Sequence, residues 1–288
     1  MINLPIGILS IALILRYAQP TTGLRAPMNA WSQVSAALCV ATLCFAVTEA
    51  SSSGWTGQNV GVAMIALASG SAFILNERRM EHPMLPGRLF KNPIVLAMLL
   101  SGVATNLAFF GAIFGMSLYF QDILHFTVAQ TGLSFVPMTA VLAVSSLISA
   151  RIGRSVSGTW IIFAGFSIST VGFLMLARIT TTTPVLTLDL ILMLIGVGIA
   201  TATPSMMNMM ISSVSHRDAG IASGLMSSGR QLGGVVGVAM FGALIDHPDS
   251  AAFLTGLSRA VLLSAAALLL CVGLNAWASR SVDQQPHG

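Results

Sequence analysis

A single arginine lies near the middle of a glycine-rich stretch, residues 217–245, that is long enough to cross a membrane as a helix. Arg230 shares this stretch with seven glycines and three serines. A spanning helix needs about 20 residues, and an arginine at its centre costs roughly 2.5–3.5 kcal/mol on insertion scales. Two interpretations stay open at this point: Arg230 pairs or snorkels for structural reasons, or it lines a transport path.

The predicted helix has one small, polar face and one apolar face when residues are placed about 100° apart. The polar face holds Ser223, Met226, Ser227, Arg230, Gly233, Gly234 and Gly237, and the apolar face holds Ile221, Leu225, Leu232, Val236, Ala239 and Ala243. Small residues spaced by four allow helix backbones to approach closely. The predicted packing glycines are Gly220, Gly224, Gly229, Gly233 and Gly237. We therefore expect the polar face to contact a neighbouring helix or a wet cavity, and the apolar face to contact lipid.

One acidic residue, Asp189, lies close to the start of another apolar span, residues 185–211. A carboxylate inside a membrane span is a candidate proton carrier. The alternative is an interfacial carboxylate near the beginning of its helix, where the helix dipole favours negative charge. The sequence leaves both interpretations open.

Two asparagines and their neighbours are further candidates for a substrate or proton path. Asn106 lies in the middle of the span 94–119 with Phe110 on its face, and Asn208 follows Met207 in the span 185–211. A buried asparagine commonly joins helices by hydrogen bonds, and methionine and aromatic side chains form adaptable apolar surfaces. Ordinary helix packing is therefore the alternative for these four residues.

The composition predicts an all-α, polytopic membrane protein. Of 288 residues, 55% are hydrophobic and 8% are charged, whereas soluble domains carry about 25% charged residues. The mean hydropathy is +0.85. Nine apolar spans are predicted, at residues 1–16, 31–48, 59–75, 94–119, 129–149, 158–177, 185–211, 219–245 and 252–278.

The sequence contains no pattern typical of an enzyme, a metal site or a cofactor site. There is no GxSxG, HExxH, Walker or GxGxxG motif. The three cysteines, Cys39, Cys44 and Cys271, all lie in apolar spans, and the histidines are scattered over loops and the tail. We expect a non-enzymatic membrane protein with no cofactor, no metal and no nucleic-acid partner.

Charge placement predicts the orientation in the cell (inner, cytoplasmic) membrane. With nine alternating spans, ten of the thirteen Lys and Arg residues fall on one side. These ten are Arg16, Arg25, Arg78, Arg79, Arg88, Lys91, Arg151, Arg154, Arg217 and Arg280. The positive-inside rule makes that side cytoplasmic, together with the C-terminus. The first apolar run is short for a full span, so we expect the chain to begin partway through a larger gene product.

Four stretches, in order along the chain, resemble a known family. They are Asn3-Leu4-Pro5-Ile6-Gly7, His82-Pro83-Met84-Leu85 with Arg88-Leu89-Phe90-Lys91-Asn92, Thr131-Gly132-Leu133 through Pro137-Met138, and Asp218-Ala219-Gly220-Ile221-Ala222-Ser223-Gly224 through Arg230-Gln231-Leu232-Gly233-Gly234. The chain resembles the C-terminal part of a fourteen-helix drug:proton antiporter of the major facilitator superfamily.

The resemblance implies a domain organisation. Residues 1–16 would be a truncated sixth helix, 17–76 two extra linker spans, 77–93 a cytoplasmic loop, 94–278 the C-terminal six-helix half and 279–288 a cytoplasmic tail.

The resemblance also implies a function, namely export of drugs or other small amphipathic solutes in exchange for protons. Substrate would bind between two halves, so the chain would need an N-terminal half for activity. The alternative is a non-transporting membrane subunit or an inactive truncated product.

Overall fold

A computed structural model describes residues 3–17, 30–53, 56–80, 87–245 and 250–283, and all regular structure within these ranges is helical. This confirms the predicted all-α class. Several predictions fall wholly or partly outside the described ranges, namely the link after residue 17, the motif His82-Pro83-Met84-Leu85 and the end of the tail.

The chain divides into two units, residues 1–30 and 31–288. The first contains helix α1 (Asn3–Tyr17). The remaining helices are α2 (Ala30–Ser53), α3 (Gly57–Arg79), α4 (Gly87–Lys91), α5 (Pro93–Leu118), α6 (Val128–Ser134), α7 (Val136–Ile152), α8 (Gly158–Leu176), α9 (Val185–Ser212), α10 (Ala219–Leu244) and α11 (Ser250–Asp283). A short π-helical segment, Tyr119–Ile123, continues α5.

Six of the described helical segments are long and apolar enough to cross a membrane. They are Gly57–Glu77, Pro93–Ile123, Val128–Ile152, Gly158–Leu176, Val185–Ser212 and Ala251–Ala278. Helix α10 is long enough but is not among them, because its glycines, serines and Arg230 lower its mean hydropathy. These six apolar helices make the chain a multi-pass membrane protein.

Helix starts follow local sequence signals. The Asn92 side chain accepts a hydrogen bond from the Ile94 N–H, and Pro93 occupies the first turn of α5, where a missing N–H costs nothing. Thr127 and Gln130 form a capping box at the start of α6. These caps fix where α5 and α6 begin.

The predicted span 129–149 is two helices rather than one. Helix α6 ends at Ser134, and α7 begins at Val136 with Pro137 in its first turn. Proline has no N–H and its ring obstructs the preceding turn, so the helix breaks at Phe135. Pro137 could have predicted this break, but the continuous apolar run led to the prediction of a single helix.

The core lies where α5, α8, α9, α10 and α11 meet. Helix α5 packs along α10, α8 packs along α9, and α11 contacts both α5 and α8. Met116, Phe166, Phe241 and Leu257 are buried there. The position of α10 beside α5 sets the geometry of the site below.

Candidate functional site

Helices α5 and α10 approach each other closely because three glycines of α10 face α5. A Cβ atom added at any of them would collide with α5. The contacts are Gly229 against the Leu99 side chain, Gly233 against the Val103 backbone and Gly237 against the Leu107 backbone. Glycine is required at Gly233 and Gly237, where the neighbour is backbone, whereas a shift of the Leu99 side chain would make room at Gly229. This close approach is what the small-residue pattern predicts.

Two other predicted packing glycines do not lie at this contact. No described side chain or neighbouring backbone lies within 4 Å of a Cβ built on Gly220 or Gly224, and both residues are exposed. At 3.6 residues per turn, Gly224 lies about 140° and Gly220 about 180° around the helix from Gly229. Gly220 and Gly224 have the small-residue spacing, but they lie on a face of α10 that does not meet α5.

The polar face of α10 brings Arg230 to Asn106 of α5. The Arg230 Nε–H donates to the Asn106 Oδ1, with the two atoms 3.2 Å apart. Gly102, one turn earlier on α5, leaves room for the arginine stem, since a Cβ there would lie 3.1 Å from the Arg230 Cγ. Asn106 is buried and Arg230 is half-buried. Two predicted site residues therefore form one pair.

The positive charge of Arg230 has no acidic partner among the described residues. Its other N–H groups also have no hydrogen-bond acceptor within that part of the chain. No other charged residue occurs in α5 or α10. The pair therefore carries an uncompensated charge of +1 within a helix contact.

An open groove lies one turn beyond the pair on both helices. It has a volume of about 270 Å³ and is lined by Phe110, Gln231, Gly234, Val235 and Val238. The Phe110 ring lies against Gly234, where a Cβ would be 3.0 Å from the ring. Phe110 itself is 40% exposed. The groove is apolar except for Gln231, which sequence reasoning did not single out.

The remaining predicted residues all lie on α9. Asp189 is half-buried, and its Oδ1 is shielded from solvent without a hydrogen-bond partner among the described residues. Met207 packs against the core, whereas Asn208 is exposed. No hydrogen bond within the described chain links any of them to Arg230.

A buried polar link between α5 and α11 escaped the sequence reasoning. The Asn275 Nδ2 donates to the Ser101 Oγ at 2.7 Å and to the Cys271 carbonyl oxygen at 2.6 Å. Its Oδ1 is buried without a partner among the described residues. The signal was available, because Asn275 is an asparagine within an apolar span, as Asn106 is.

The family model described as Major Facilitator Superfamily matches residues 1–238, which is most of the chain. The chain belongs to the Major Facilitator Superfamily. The match includes both members of the Arg230–Asn106 pair and the groove beside them.

Several curated proteins to which the chain is similar are named as drug resistance or export proteins. The methylenomycin A resistance protein of Streptomyces coelicolor is 28% identical over 284 residues, which are 96% of this chain and 58% of the relative. The multidrug resistance protein Stp of Mycobacterium tuberculosis is 32% identical over 267 residues, which are 90% of this chain and 49% of the relative. The cephamycin export protein CmcT of Amycolatopsis lactamdurans is 32% identical over 254 residues, 83% and 51% respectively. The chain thus spans about half the length of these relatives.

In this superfamily member, a second arginine is paired in a different way. The Arg88 Nη2 of α4 lies 2.8 Å from the Oδ1 of Asp218, the residue that precedes α10. The Ser215 hydroxyl donates to the Asp218 Oδ2 at 2.9 Å. The ion pair thus fastens the start of α10 to the segment before α5.

The Asp218 carboxyl is acidic despite its burial. Burial acts to raise its pKa, but hydrogen bonds from Ser215 and Arg88 and the positive charges of Arg88 and Arg217 outweigh burial, so the pKa lies below its ordinary value. Asp218 is therefore ionised at neutral pH.

Metal chemistry has no candidate site in the described part of the chain. No group of three or more His, Cys, Asp or Glu side chains lies close enough there to hold an ion.

Proposed function

We propose that this chain is part of a secondary transporter that exports drugs or other small amphipathic solutes across the cell membrane in exchange for protons. It is a transporter and not an enzyme. Membership of the superfamily and the names of the resistance and export relatives support this proposal.

The observation that carries the proposal is the Arg230–Asn106 pair beside its apolar groove. A charged side chain in the middle of a membrane helix is costly and is retained at substrate and ion pathways. Here the charge is hydrogen-bonded to a neutral amide, and an exposed aromatic ring, Phe110, lies one turn beyond that amide on α5. Such a combination of one charge and apolar lining is typical of sites for amphipathic ligands.

Asp189 is the proposed proton carrier. Its Oδ1 is shielded from solvent and has no partner among the described residues, so no cation there holds the carboxylate permanently ionised. A carboxylate within a span that can gain and lose a proton is the usual element of a proton relay.

The proposed architecture has this chain supply the C-terminal half, residues 94–278, with its C-terminus in the cytoplasm. Substrate would bind between this half and an N-terminal half, which alternating access requires. The length of the relatives, about twice that of this chain, supports the requirement for a second half.

The proposal is tested by dye efflux from vesicles with an imposed proton gradient. We compare the 288-residue chain alone with the same chain joined to an N-terminal half from a longer relative such as Stp. We expect gradient-driven efflux only from the joined protein, and Arg230→Ala should reduce it more than Arg259→Ala, which alters an exposed arginine of α11.

Two results would contradict the proposal. Robust gradient-dependent efflux by the chain alone would remove the requirement for a second half. A joined protein that inserts and melts normally but exports no dye would favour the alternative of a non-transporting membrane subunit.

A further inference from the structure

We infer that the site beside Arg230 takes an anionic amphipathic solute, whose carboxylate binds Arg230 while its apolar body lies in the neighbouring groove. The inference rests on the proposed function and deepens it by naming the class of substrate.

The first argument is the unbalanced charge of Arg230. Asn106 is neutral and accepts only the Nε–H, so the terminal N–H groups of the guanidinium have no acceptor among the described residues. An arginine presents its N–H groups in a planar fork that matches a carboxylate through two parallel hydrogen bonds. A carboxylate would therefore supply both the missing acceptors and the missing negative charge.

The second argument is the position of the groove relative to that charge. Phe110 lies one turn beyond Asn106 on α5, and Gly234 lies one turn beyond Arg230 on α10. Arg230 does not itself line the groove, so a ligand whose apolar body lies in the groove must extend its carboxylate by about one helical turn, roughly 5 Å, to reach the guanidinium. An amphipathic anion matches this order of charge and apolar surface, whereas an amphipathic cation would be repelled by Arg230.

The third argument excludes a lipid headgroup as the occupant. Arg230 lies near the middle of α10, with about 17 Å of helix before it and about 21 Å after it at 1.5 Å per residue. The hydrocarbon region of a bilayer is about 30 Å thick, so headgroups lie about 15 Å from the depth of Arg230. A solute that enters the site can reach this depth, but a headgroup anchored at the surface does not.

The test measures binding of three fluorescent probes that share one pyrene body. The probes are 4-(pyren-1-yl)butanoate, its methyl ester and the corresponding trimethylammonium compound. The purified 288-residue chain is held in an uncharged detergent, and affinity is read from fluorescence anisotropy at fixed salt. One charge-assisted pair distinguishes the anion from the ester, so we expect the butanoate to bind about tenfold to a hundredfold tighter. The trimethylammonium probe should bind weakest.

Three variants locate the preference. Arg230→Gln should abolish the preference for the butanoate over the ester while leaving ester binding within about threefold. Arg230→Lys, which keeps the charge but loses the fork, should retain part of the preference. Arg259→Gln is the matched control, because it removes an exposed arginine from another apolar helix, and it should leave the preference unchanged.

The outcomes separate this inference from the proposed function. Equal affinity for the butanoate and the ester, tighter binding of the cation, binding of none of the probes, or an undiminished preference in Arg230→Gln would each overturn the anionic class. In the first two cases export of amphipathic solutes would still stand. A preference that depends on Arg230, together with a joined transporter that moves no solute, would instead support the site and overturn the export function.

Discussion

Arg230 in the middle of α10 and Arg88 beside the start of α10 have opposite surroundings. Arg88 is 63% exposed and is neutralised by Asp218 at 2.8 Å, at the start of the helix. Arg230 is half-buried in the middle of the helix, and its one hydrogen bond to a described residue is to the neutral Asn106, at 3.2 Å. The charge that water could have solvated has an acidic partner, and the charge that is costly to bury has none within the described ranges of the chain.

This difference distinguishes a structural ion pair, Arg88–Asp218, from a candidate binding site at Arg230. The Arg88–Asp218 pair is satisfied within the chain, and with the Asn92 side chain, which donates to the Ser213 carbonyl at 2.8 Å, it joins two loops. Arg230 has terminal N–H groups with no acceptor in the described part of the chain, and a bound solute can supply one. Close packing of α10 on α5 holds this unsatisfied charge in place, so the two regions should respond differently to substitution.

The largest expected effect comes from removing the close packing that supports Arg230. Gly233→Leu forces a side chain into the Val103 backbone, and we expect a loss of about 3 kcal/mol in the free energy of unfolding. Gly224→Leu is the matched control near the start of the same helix, where no described neighbour is close. It should be neutral or stabilising by up to about 1 kcal/mol, because leucine favours helix more than glycine does.

Thermal melting in detergent checks this pair of variants. A large drop in melting temperature is expected for Gly233→Leu alone. Equal melting of both variants would mean that the middle of α10 is no more tightly packed than its start.

Features that follow a periodic pattern, namely the apolar spans and the polar face of α10, could be predicted from the sequence. Apolar runs predicted the six described segments that are long and apolar enough to cross a membrane, out of nine predicted spans. The helical period placed Arg230 with Gly233 and Gly237 on one face. The same reasoning included Gly220 and Gly224, because spacing by four shows which glycines share a face but not which face meets a neighbour. The position of α5 determines which face of α10 is packed.

Partners that are distant in sequence were not predictable. Arg88 and Asp218 are 130 residues apart, and Asn106 and Arg230 are 124 apart. Each of these residues stands out as a polar residue in or beside an apolar span. The periodicity of a single sequence, however, does not show which residue of another helix it will contact. The arginine that pairs with an acid and the arginine that does not therefore looked alike until their neighbours were known.

The next prediction replaces Arg230 by an apolar side chain of similar length. Arg230→Met removes a costly charge, which offsets the loss of the hydrogen bond to Asn106, so the melting temperature should hardly change. Efflux by the joined transporter should nevertheless fall about tenfold or more, because the site loses its charge-assisted contact.

Melting and efflux must be measured on the same preparation. If Arg230→Met melts far lower than the parent chain, the main role of Arg230 is structural. If efflux is unchanged, Arg230 does not contact the substrate.

The smallest expected effect concerns the satisfied pair. Asp218→Asn removes the negative charge opposite Arg88 but keeps a polar side chain near Ser215. Since Arg88 is largely exposed, water replaces its lost partner, and the free energy of unfolding should fall by only about 1 kcal/mol or less.

The pKa of Asp218 is lower in the folded chain than its ordinary value, so its ionised form is favoured by folding. Its stabilising contribution is therefore complete at neutral pH and is lost as the pH falls below about 4 and through the folded pKa. The melting temperatures of the parent chain and of Asp218→Asn should thus differ at pH 7 and converge in acid. The difference in melting temperature between the parent chain and Arg230→Met has no contribution from Asp218, so it should not change with the titration of Asp218. A gap between the parent chain and Asp218→Asn that persists unchanged at pH 3 would show that the Asp218 charge does not stabilise the start of α10.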